Sequence, residues 1–297
     1  MAVQIVTDST ADLPQELVQR LGITVVPLNL HFGTQVYRDG VDIQAEEFYR
    51  RLVTANPLPT TSQPAVGAFV ECYEALADGG EPVVSIHIAS KLSGTINSAL
   101  QARQQVGDSM SIEVVDSQTA SLGLGLIVLA AAEAAGGGAS LEEVLHVTRE
   151  AVARTRVFFM VDTLEYLQRG GRIGKGQAFL GSVLNIKPIL EIREGEVLPV
   201  ERVRTRSKAL ERLSSLVDAL GPAASLAVAY STASEEAHAL AQRLLPHVPA
   251  DKRHVMRIGP VIGVHAGPGC VGVGVVCQGD KGAAEFTLSE AEGSATP

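Results

Sequence analysis

Tryptophan is absent from this 297-residue chain, aromatic residues make up only 4% of it, and cysteine occurs three times. Cys72, Cys270 and Cys277 form neither a C-x-x-C pair nor an even-numbered framework, which argues against a disulfide scaffold and favours a reducing compartment. Hydrophobic residues instead make up 46% of the chain, and its mean hydropathy is +0.19. Such a chain can bury a full core without metals or disulfides and leaves room for an apolar cavity.

Basic residues are also scarce. The 24 lysines and arginines are outnumbered by 33 aspartates and glutamates, so the formal net charge is −9, which argues against a nucleic-acid partner. The N-terminal sequence MAVQIVTDST lacks the segments of a signal peptide. The longest apolar run, residues 122–132, is shorter than the roughly 18 residues that span a bilayer. We therefore expect a cytoplasmic protein with no membrane span.

Strand-like and helical segments alternate from the N-terminus. Residues 4–7 and 23–32 are predicted strands, each followed by a helical pattern. Residues 119–135 are apolar nearly all round, which predicts a buried helix. Ser140 with Glu143 three residues later predicts a capping box on the next helix. This alternation favours an α/β fold with a mostly parallel sheet flanked by helices.

The pattern changes after residue 155. A strand at 157–162 is followed by the glycine-rich loop 169–176 and by a predicted β-hairpin around Glu194-Gly195, which indicates antiparallel pairing. We therefore predict two α/β domains and a polar tail. Their ranges are 1–155 with a mostly parallel sheet, 156–280 with a mixed sheet, and 281–297 for the tail.

Ser93 lies where a predicted strand passes into a predicted helix, in the segment SIHIASKLSGTINSA. Its hydroxyl could simply cap the helix. The same position, at the carboxyl end of a parallel strand, also suits an anionic head group, because backbone N–H groups point into the crevice there. A role as nucleophile is disfavoured, since Lys91 stands where a G-x-S-x-G elbow needs glycine.

No nucleotide or metal motif is convincing. The glycines of GPGCVG, at 267, 269 and 272, precede a strand rather than a helix, which is the wrong context for a dinucleotide site. The loop RGGRIGKG has Arg169 and Gly176 where a Walker A loop needs glycine and a hydroxyl residue. The histidines show no metal-ligand spacing. We therefore expect no cofactor and no metal.

Two further polar positions stand out. The hydroxyls of TTSQP, residues 60–64, lie at a predicted helix start, where they could be caps or ligand donors. His265 lies in a predicted loop between small residues that let other groups approach its ring, which favours a functional role. His87, in the middle of a predicted strand, is expected to be a packed core residue.

Two basic clusters interrupt the acidic background. Arg169, Arg172 and Lys175 lie on the glycine-rich loop. Arg202, Arg204 and Arg206 alternate with uncharged residues, so a strand would place all three on one face. Such a face could be a solvated edge strand or a docking surface for an acidic or phosphate-handling partner.

Taken together, the segments resemble the DegV family of bacterial fatty-acid-binding proteins, which supply the substrate of a separate fatty acid kinase. The resemblance runs through eight ordered stretches that extend to about residue 277. They are VTDSTADLP (6–14), TSQP (61–64), SKLSGTINSA (90–99), VVDSQTASLGLG (114–125), DTLEYLQRGGRI (162–173), NIKPIL (185–190), RVRTRSKAL (202–210) and HAGPG (265–269).

The resemblance implies a non-catalytic carrier with an apolar tunnel between two α/β domains. The tunnel would hold a long-chain acid such as palmitate or another C16–C18 acid. By motif, Thr61, Ser93 and His265 would hold its carboxylate, and the expected fatty-acid-binding positions are Thr61, Ser62, Ser93, Gly94, Thr95 and His265. The kinase would dock on the basic residues Arg169, Arg172, Arg202 and Arg204. The alternative is a lipid esterase or acyltransferase that uses Ser93 and His265.

Overall fold

The computed structural model describes residues 3–77, 79–107, 110–181, 186–244 and 248–279. The predicted tail 281–297, residue 280 and Asn185 of the NIKPIL stretch lie outside the described residues. The strands are β1 (Gln4–Asp8), β2 (Thr24–Val26), β3 (Asn29–Phe32), β4 (Gln35–Arg38), β5 (Thr60–Ser62), β6 (Val83–His87), β7 (Ile112–Asp116), β8 (Thr155–Met160), β9 (Lys187–Arg193), β10 (Glu196–Val203), β11 (Ala223–Tyr230), β12 (Arg253–Arg257) and β13 (Val271–Cys277).

The α-helices are α1 (Gln15–Arg20), α2 (Ala45–Leu52), α3 (Val66–Ala77), α4 (Thr95–Val106), α5 (Leu122–Gly136), α6 (Leu141–Arg154), α7 (Glu165–Arg169), α8 (Arg206–Leu220), α9 (Ser234–Arg243) and α10 (Pro260–Ala266). Short 3₁₀ turns cover Ser9–Ala11, Gly174–Phe179 and Ala250–Lys252. The predicted capping box is present: Ser140 Oγ accepts from the Glu143 N–H, and the Glu143 carboxylate accepts from the Ser140 N–H.

A parallel sheet in the order β2-β1-β6-β7 forms the centre of the N-terminal half, residues 3–154. Successive side chains on its strands point to opposite faces. On one face Val6 and Val83 pack with α3 and α4, and on the other Ile5 and Val84 pack with α5. Apolar residues on both faces are typical of a parallel sheet covered by helices on both sides. The predicted parallel sheet flanked by helices is confirmed.

The predicted single strand at 23–32 is in fact two strands. β2 pairs with β1, whereas β3 joins β4 and β5 in a separate antiparallel sheet. The break coincides with Pro27, which has no N–H to donate to a continuing ladder. In the small sheet Thr61 pairs with Leu30, so the hydroxyls of 60–62 lie on a strand and not in the first turn of α3, which begins at Val66.

The C-terminal half, residues 155–279, is built on a six-stranded sheet in the order β10-β9-β8-β13-β11-β12. Only β11 and β12 pair in parallel, which confirms the predicted mixed sheet. The prediction that Arg202, Arg204 and Arg206 share a strand face is wrong. β10 ends at Val203, and the Thr205 hydroxyl caps α8, so that Arg206 is already helical.

Helix α5 joins the two halves. It is apolar all round and buried, as predicted, and its side chains belong to a core cluster that also contains residues of β1, β6, β8 and β11. Gly125 allows a close approach, since a Cβ there would lie 2.7 Å from the Ala11 carbonyl oxygen. β8 begins at Thr155, one residue before the predicted start of the second domain. That the halves are separate domains stays a prediction.

Candidate functional site

A cavity of about 240 Å³ lies between the two halves. Its wall is mostly aliphatic and is drawn from segments that follow strands of the parallel sheet, from β5, from the six-stranded sheet and from α10. The N-terminal half contributes Leu28, Ile88, Leu92, Ala120 and Leu122, and the C-terminal half contributes Val157, Phe159, Ile192, Val197, Val261 and Ile262. Concave, mainly apolar sites with a few convergent polar groups are typical of small-molecule binding.

Polar groups of the two halves meet at this cavity. Thr61 lies on β5, Ser93 lies in the turn before α4, and His265 lies in the last turn of α10. Thr61 Oγ1 is 2.9 Å from His265 Nε2, a hydrogen bond between residues 204 positions apart. The structure therefore brings the three predicted carboxylate ligands to the wall of one cavity.

His265 is held in its neutral form. Burial, and secondly the nearby Arg172 guanidinium, lower its pKa to about 4. Nδ1 is buried and, in the described part of the chain, has no hydrogen-bond partner. It faces Gly170, where any Cβ would overlap Nδ1. We assign the ring proton to Nε2, because a proton on Nδ1 would be a buried donor without an acceptor. His265 then donates to Thr61, and the Thr61 hydroxyl can donate into the cavity.

The Ser93 hydroxyl bonds to the first residue of α4 and also lies on the wall of the cavity. Its Oγ accepts from the Thr95 N–H at 3.3 Å and lies 2.9 Å from Thr95 Oγ1. With the buried Thr95 hydroxyl as donor, Ser93 keeps its own proton for a group in the cavity. Gly94 fits because the Gln63 side chain packs over it where a Cβ would be. Thr95 and Gly94 thus support Ser93, and Ser62, whose hydroxyl is 2.9 Å from His31 Nε2, lies at the rim.

The four arginines predicted to bind a partner are all exposed, but they do not behave alike. Arg172 lines the cavity and connects the halves, because its Nε donates to the Leu92 carbonyl at 3.1 Å. Arg169 pairs with Glu165 at 2.8 Å on α7. Arg202 stacks 4.7 Å over the ring of Phe179. Arg204 is exposed just beyond β10.

Sequence reasoning missed Arg172 and Gln63 as residues of the cavity. Both come from loops whose position depends on how the two halves meet, so spacing along the chain carries no signal for them. Arg206, by contrast, is half-buried and serves the fold: its guanidinium donates to Asp162 at 3.0 Å and to the Gly269 carbonyl at 2.7 Å.

The arrangement lacks the features of a catalytic triad. His265 is hydrogen-bonded to Thr61, and no hydrogen bond joins it to Ser93, although both residues are described. Among the described residues, no three histidine, cysteine, aspartate or glutamate side chains are placed to hold a metal ion. Nor does any helix within the described ranges have the length and apolar character needed to cross a membrane.

Comparison with known proteins identifies the family of the chain. The family model described as "Uncharacterised protein, DegV family" matches residues 2–278. A DegV domain-containing protein of Streptomyces coelicolor is 41% identical over 276 residues, covering 91% of this chain and 97% of the relative. Protein DegV of Bacillus subtilis is 38% identical over 92% of this chain and 98% of its own length.

Solved structures show the same fold. A DegV family protein from Thermus thermophilus, described as binding fatty acid, superposes with a TM-score of 0.87 at 39% identity over 94% of this chain and 100% of its own. A stearic-acid-binding protein from Eubacterium ventriosum has a TM-score of 0.84 at 30% identity, over 93% of this chain and 98% of its own. By sequence along nearly its whole length and by fold, the chain belongs to the DegV family.

Proposed function

We propose that this protein binds a long-chain fatty acid, with the acyl chain in the cavity between the halves and the carboxylate at Thr61, Ser93 and His265. One observation carries the proposal: an aliphatic cavity is bordered by hydroxyl groups and a histidine that converge from three separate elements. The fatty-acid-binding relatives reported above support the same ligand class. A C16–C18 acid such as palmitate is the expected size.

The chemistry of the cavity suits this ligand. A carboxylate only accepts hydrogen bonds, and Thr61 and Ser93 each have a hydroxyl proton free to donate once His265 and Thr95 serve as their donors. Arg172 supplies a positive charge at the same wall, which offsets the cost of burying an anion. Burial of the chain then stabilises the complex by about 0.8 kcal/mol per methylene group.

The role that follows is that of a carrier without catalytic activity of its own, which presents the acid to a separate fatty acid kinase for conversion to acyl phosphate. Phosphoryl transfer needs phosphate-binding loops and metal ions, and this sequence has no nucleotide motif that could supply them. The exposed arginines Arg169, Arg202 and Arg204, with Arg172 at the cavity, are the proposed contact surface for an acidic partner.

Extraction of the purified protein tests the ligand and separates the carrier from the esterase or acyltransferase alternative. Mass spectrometry before and after denaturation should find a C16–C18 acid that is released intact, with the protein mass unchanged. An acyl adduct on Ser93 would instead support the enzyme. Absence of any lipid, together with no uptake of added palmitate, would overturn the proposal.

The partner surface is tested with purified fatty acid kinase. Replacing Arg202 and Arg204 by glutamate should lower acyl phosphate formation while palmitate stays bound, because the change reverses the surface charge away from the cavity wall. Arg243→Glu, on an exposed position of α9, is the matched control and should leave the rate unchanged. A wild-type rate in the double variant would remove these arginines from the proposed surface.

A further inference from the structure

Two buried carboxyl groups lie behind the wall of the acyl cavity, against the first turn of α10. Asp12 follows the 3₁₀ turn Ser9–Ala11 and is 9% exposed, and Asp39 follows β4 and is 4% exposed. Both belong to the N-terminal half, whereas α10 belongs to the C-terminal half. The fatty-acid-binding role assigned to Thr61, Ser93 and His265 does not involve them.

Their contacts hold α10 against the N-terminal half. Asp12 Oδ1 accepts from the Gly259 N–H at 2.8 Å, and its Oδ2 accepts from the Ser121 hydroxyl at 2.5 Å. Asp39 accepts from the Val261 N–H and from the Ser9 hydroxyl. The helix cap itself, Gly259, has no side chain. The two carboxyl groups therefore serve as remote caps for the free N–H groups at the start of the helix.

The same contacts lead directly to the acyl cavity. Ser121 and Val261, which bond to Asp12 and Asp39, both line it, and His265 lies four residues after Val261 on the same helix. Displacement of the first turn of α10 would move Val261 out of the wall and draw His265 away from Thr61. The carboxyl pair is thus mechanically coupled to the cavity that it does not touch.

The protonation of Asp12 and Asp39 depends on their burial beneath α10. Burial raises the pKa of Asp39 to about 7 and holds the pKa of Asp12 well above its usual range, and their mutual repulsion adds to the shift on Asp12. The other titratable or charged groups that face them are Asp8 of β1, Glu46 and Tyr49 of α2, Arg257 of β12, and Cys270 before β13. If α10 lifts, water reaches both carboxyl groups and their pKa values fall toward about 4.

Proton uptake by the buried carboxyl groups determines how the stability of the closed form changes with pH. A carboxyl group whose pKa is raised in the closed form takes up a proton on closing at any pH between the open and closed values. The stabilisation of the closed form by this proton uptake is therefore full only below a pH of about 4, falls steadily as the pH rises above that value, and is lost once the pH has passed about 7. Ionisation of the buried pair then favours a lifted helix, where both carboxylates are hydrated.

We propose that Asp12 and Asp39 are positioning residues that hold α10 closed over the acyl cavity, and that their protonation on closing makes fatty-acid release faster as the pH rises through neutrality. This inference rests on the proposed fatty-acid-binding function. His265 opposes this change only below about pH 6.5, where a lifted helix would expose the ring to water and let it take up a proton; above that pH the ring is neutral in both forms. The release of ligand is thereby linked to the local proton concentration.

The test is the dissociation rate of bound palmitate from about pH 6 to about pH 9, in wild type, in Asp39→Asn and Asp12→Asn, in the double variant Asp12→Asn/Asp39→Asn, and in Asp42→Asn. Uptake of one proton by a group whose pKa is about 7 in the closed form predicts that release from wild type is about tenfold faster at about pH 9 than at about pH 6. Asparagine keeps an accepting oxygen but cannot ionise, so each single variant should weaken the pH dependence, and the double variant Asp12→Asn/Asp39→Asn should flatten it. Asp42→Asn, an exposed partner of Arg38, is the control and should retain the wild-type dependence.

Hydrogen exchange in ligand-free protein gives a second measurement that needs no fatty acid. Protection of the Gly259 and Val261 amides, corrected for intrinsic exchange, should fall over the same pH range in wild type and in Asp42→Asn but not in the double variant. Flat release and flat protection in wild type, or a slope that persists in the double variant Asp12→Asn/Asp39→Asn, would overturn the inference. A protein that binds no palmitate at any pH, yet shows the slope in protection, would overturn the proposed function and not the coupling.

Discussion

His87 and His265 each contact a hydroxyl side chain, but His87 is enclosed in the core whereas His265 lines a cavity. His87 Nε2 is 2.7 Å from Ser85 Oγ and its Nδ1 is 3.0 Å from Asp8 Oδ2, the serine, histidine and carboxylate set of a hydrolase. All three side chains are fully buried. His265 has one partner, Thr61, an unpaired Nδ1, and a place on the cavity wall. The difference lies in access and in unused hydrogen-bonding capacity.

The network around His87 holds the parallel sheet together. It extends from Asp8 on β1 through His87 and Ser85 on β6 to the Tyr73 hydroxyl on α3, and Asp8 also accepts from the Ile88 N–H at 3.0 Å. Every member has a partner, which is what buried polar groups require. A complete set of residue types therefore does not identify a reactive site. The proposal for His265 rests instead on its place beside a cavity and on its unused hydrogen-bonding capacity.

The largest effect that separates the two histidines is expected for His87→Ala. The change leaves the Asp8 carboxylate and the Ser85 hydroxyl buried without their partner, and the free energy of unfolding should fall by about 3–5 kcal/mol. Urea unfolding measures it. The same substitution at His265 is the control and should cost about 1 kcal/mol, since only one hydrogen bond is lost. Equal losses at the two positions would contradict the division into structural and binding histidines.

For the affinity for palmitate, the larger effect is expected at His265 and not at His87. His265→Ala removes the donor that fixes the Thr61 hydroxyl, and the affinity for palmitate should fall by about 10- to 100-fold, corresponding to roughly 1.5–3 kcal/mol for hydrogen bonding to a charged group. Titration with a fluorescent fatty acid and displacement by palmitate measures the change. A His265→Ala protein that keeps wild-type affinity would exclude His265 as part of the carboxylate site.

Ser93 at the cavity and Ser85 in the core allow the same comparison, with smaller expected effects. Ser93→Ala should weaken palmitate retention by about tenfold, the value of one hydrogen bond to a carboxylate, with little effect on unfolding. Ser85→Ala should leave retention unchanged and lower the free energy of unfolding by about 1–3 kcal/mol, because Tyr73 and His87 lose a partner. Matched retention and unfolding measurements on both variants decide this. Loss of stability in Ser93→Ala with normal retention would make Ser93 a cap alone.

The smallest expected effect is the contribution of His265 to the loss of stability at acidic pH. The pKa of His265 is lowered in the folded protein, so the unfolded chain binds more protons between about 6.5 and about 4. This group therefore destabilises the protein progressively as the pH falls through that range. His265→Gln, which cannot titrate, should show a shallower loss of unfolding free energy on acidification than wild type. An unchanged slope would mean that the ring is as hydrated in the fold as in the unfolded chain.

The fold could be predicted where local pattern decides it. The spacing of apolar residues along the sequence predicted the parallel sheet, the mixed sheet and the buried helix α5. The capping box of Ser140 and Glu143 correctly predicted the start of α6. The break at Pro27 and the helical state of Arg206 were missed, because one missing N–H and one capping hydroxyl outweighed strand period. Arg172 and Gln63 reach the cavity only through the packing of one half on the other, which no local pattern encodes.

The shared helix α5 has a consequence for how an acyl chain could reach its cavity. Because α5 is buried between the two sheets and its side chains belong to one continuous core, a hinge motion of one half against the other would expose that core to water at a large cost in free energy. Local movement avoids this cost. The path for a lipid is therefore expected at the rim formed by Gln63, Arg172 and α10, which can shift while the two sheets stay fixed around α5.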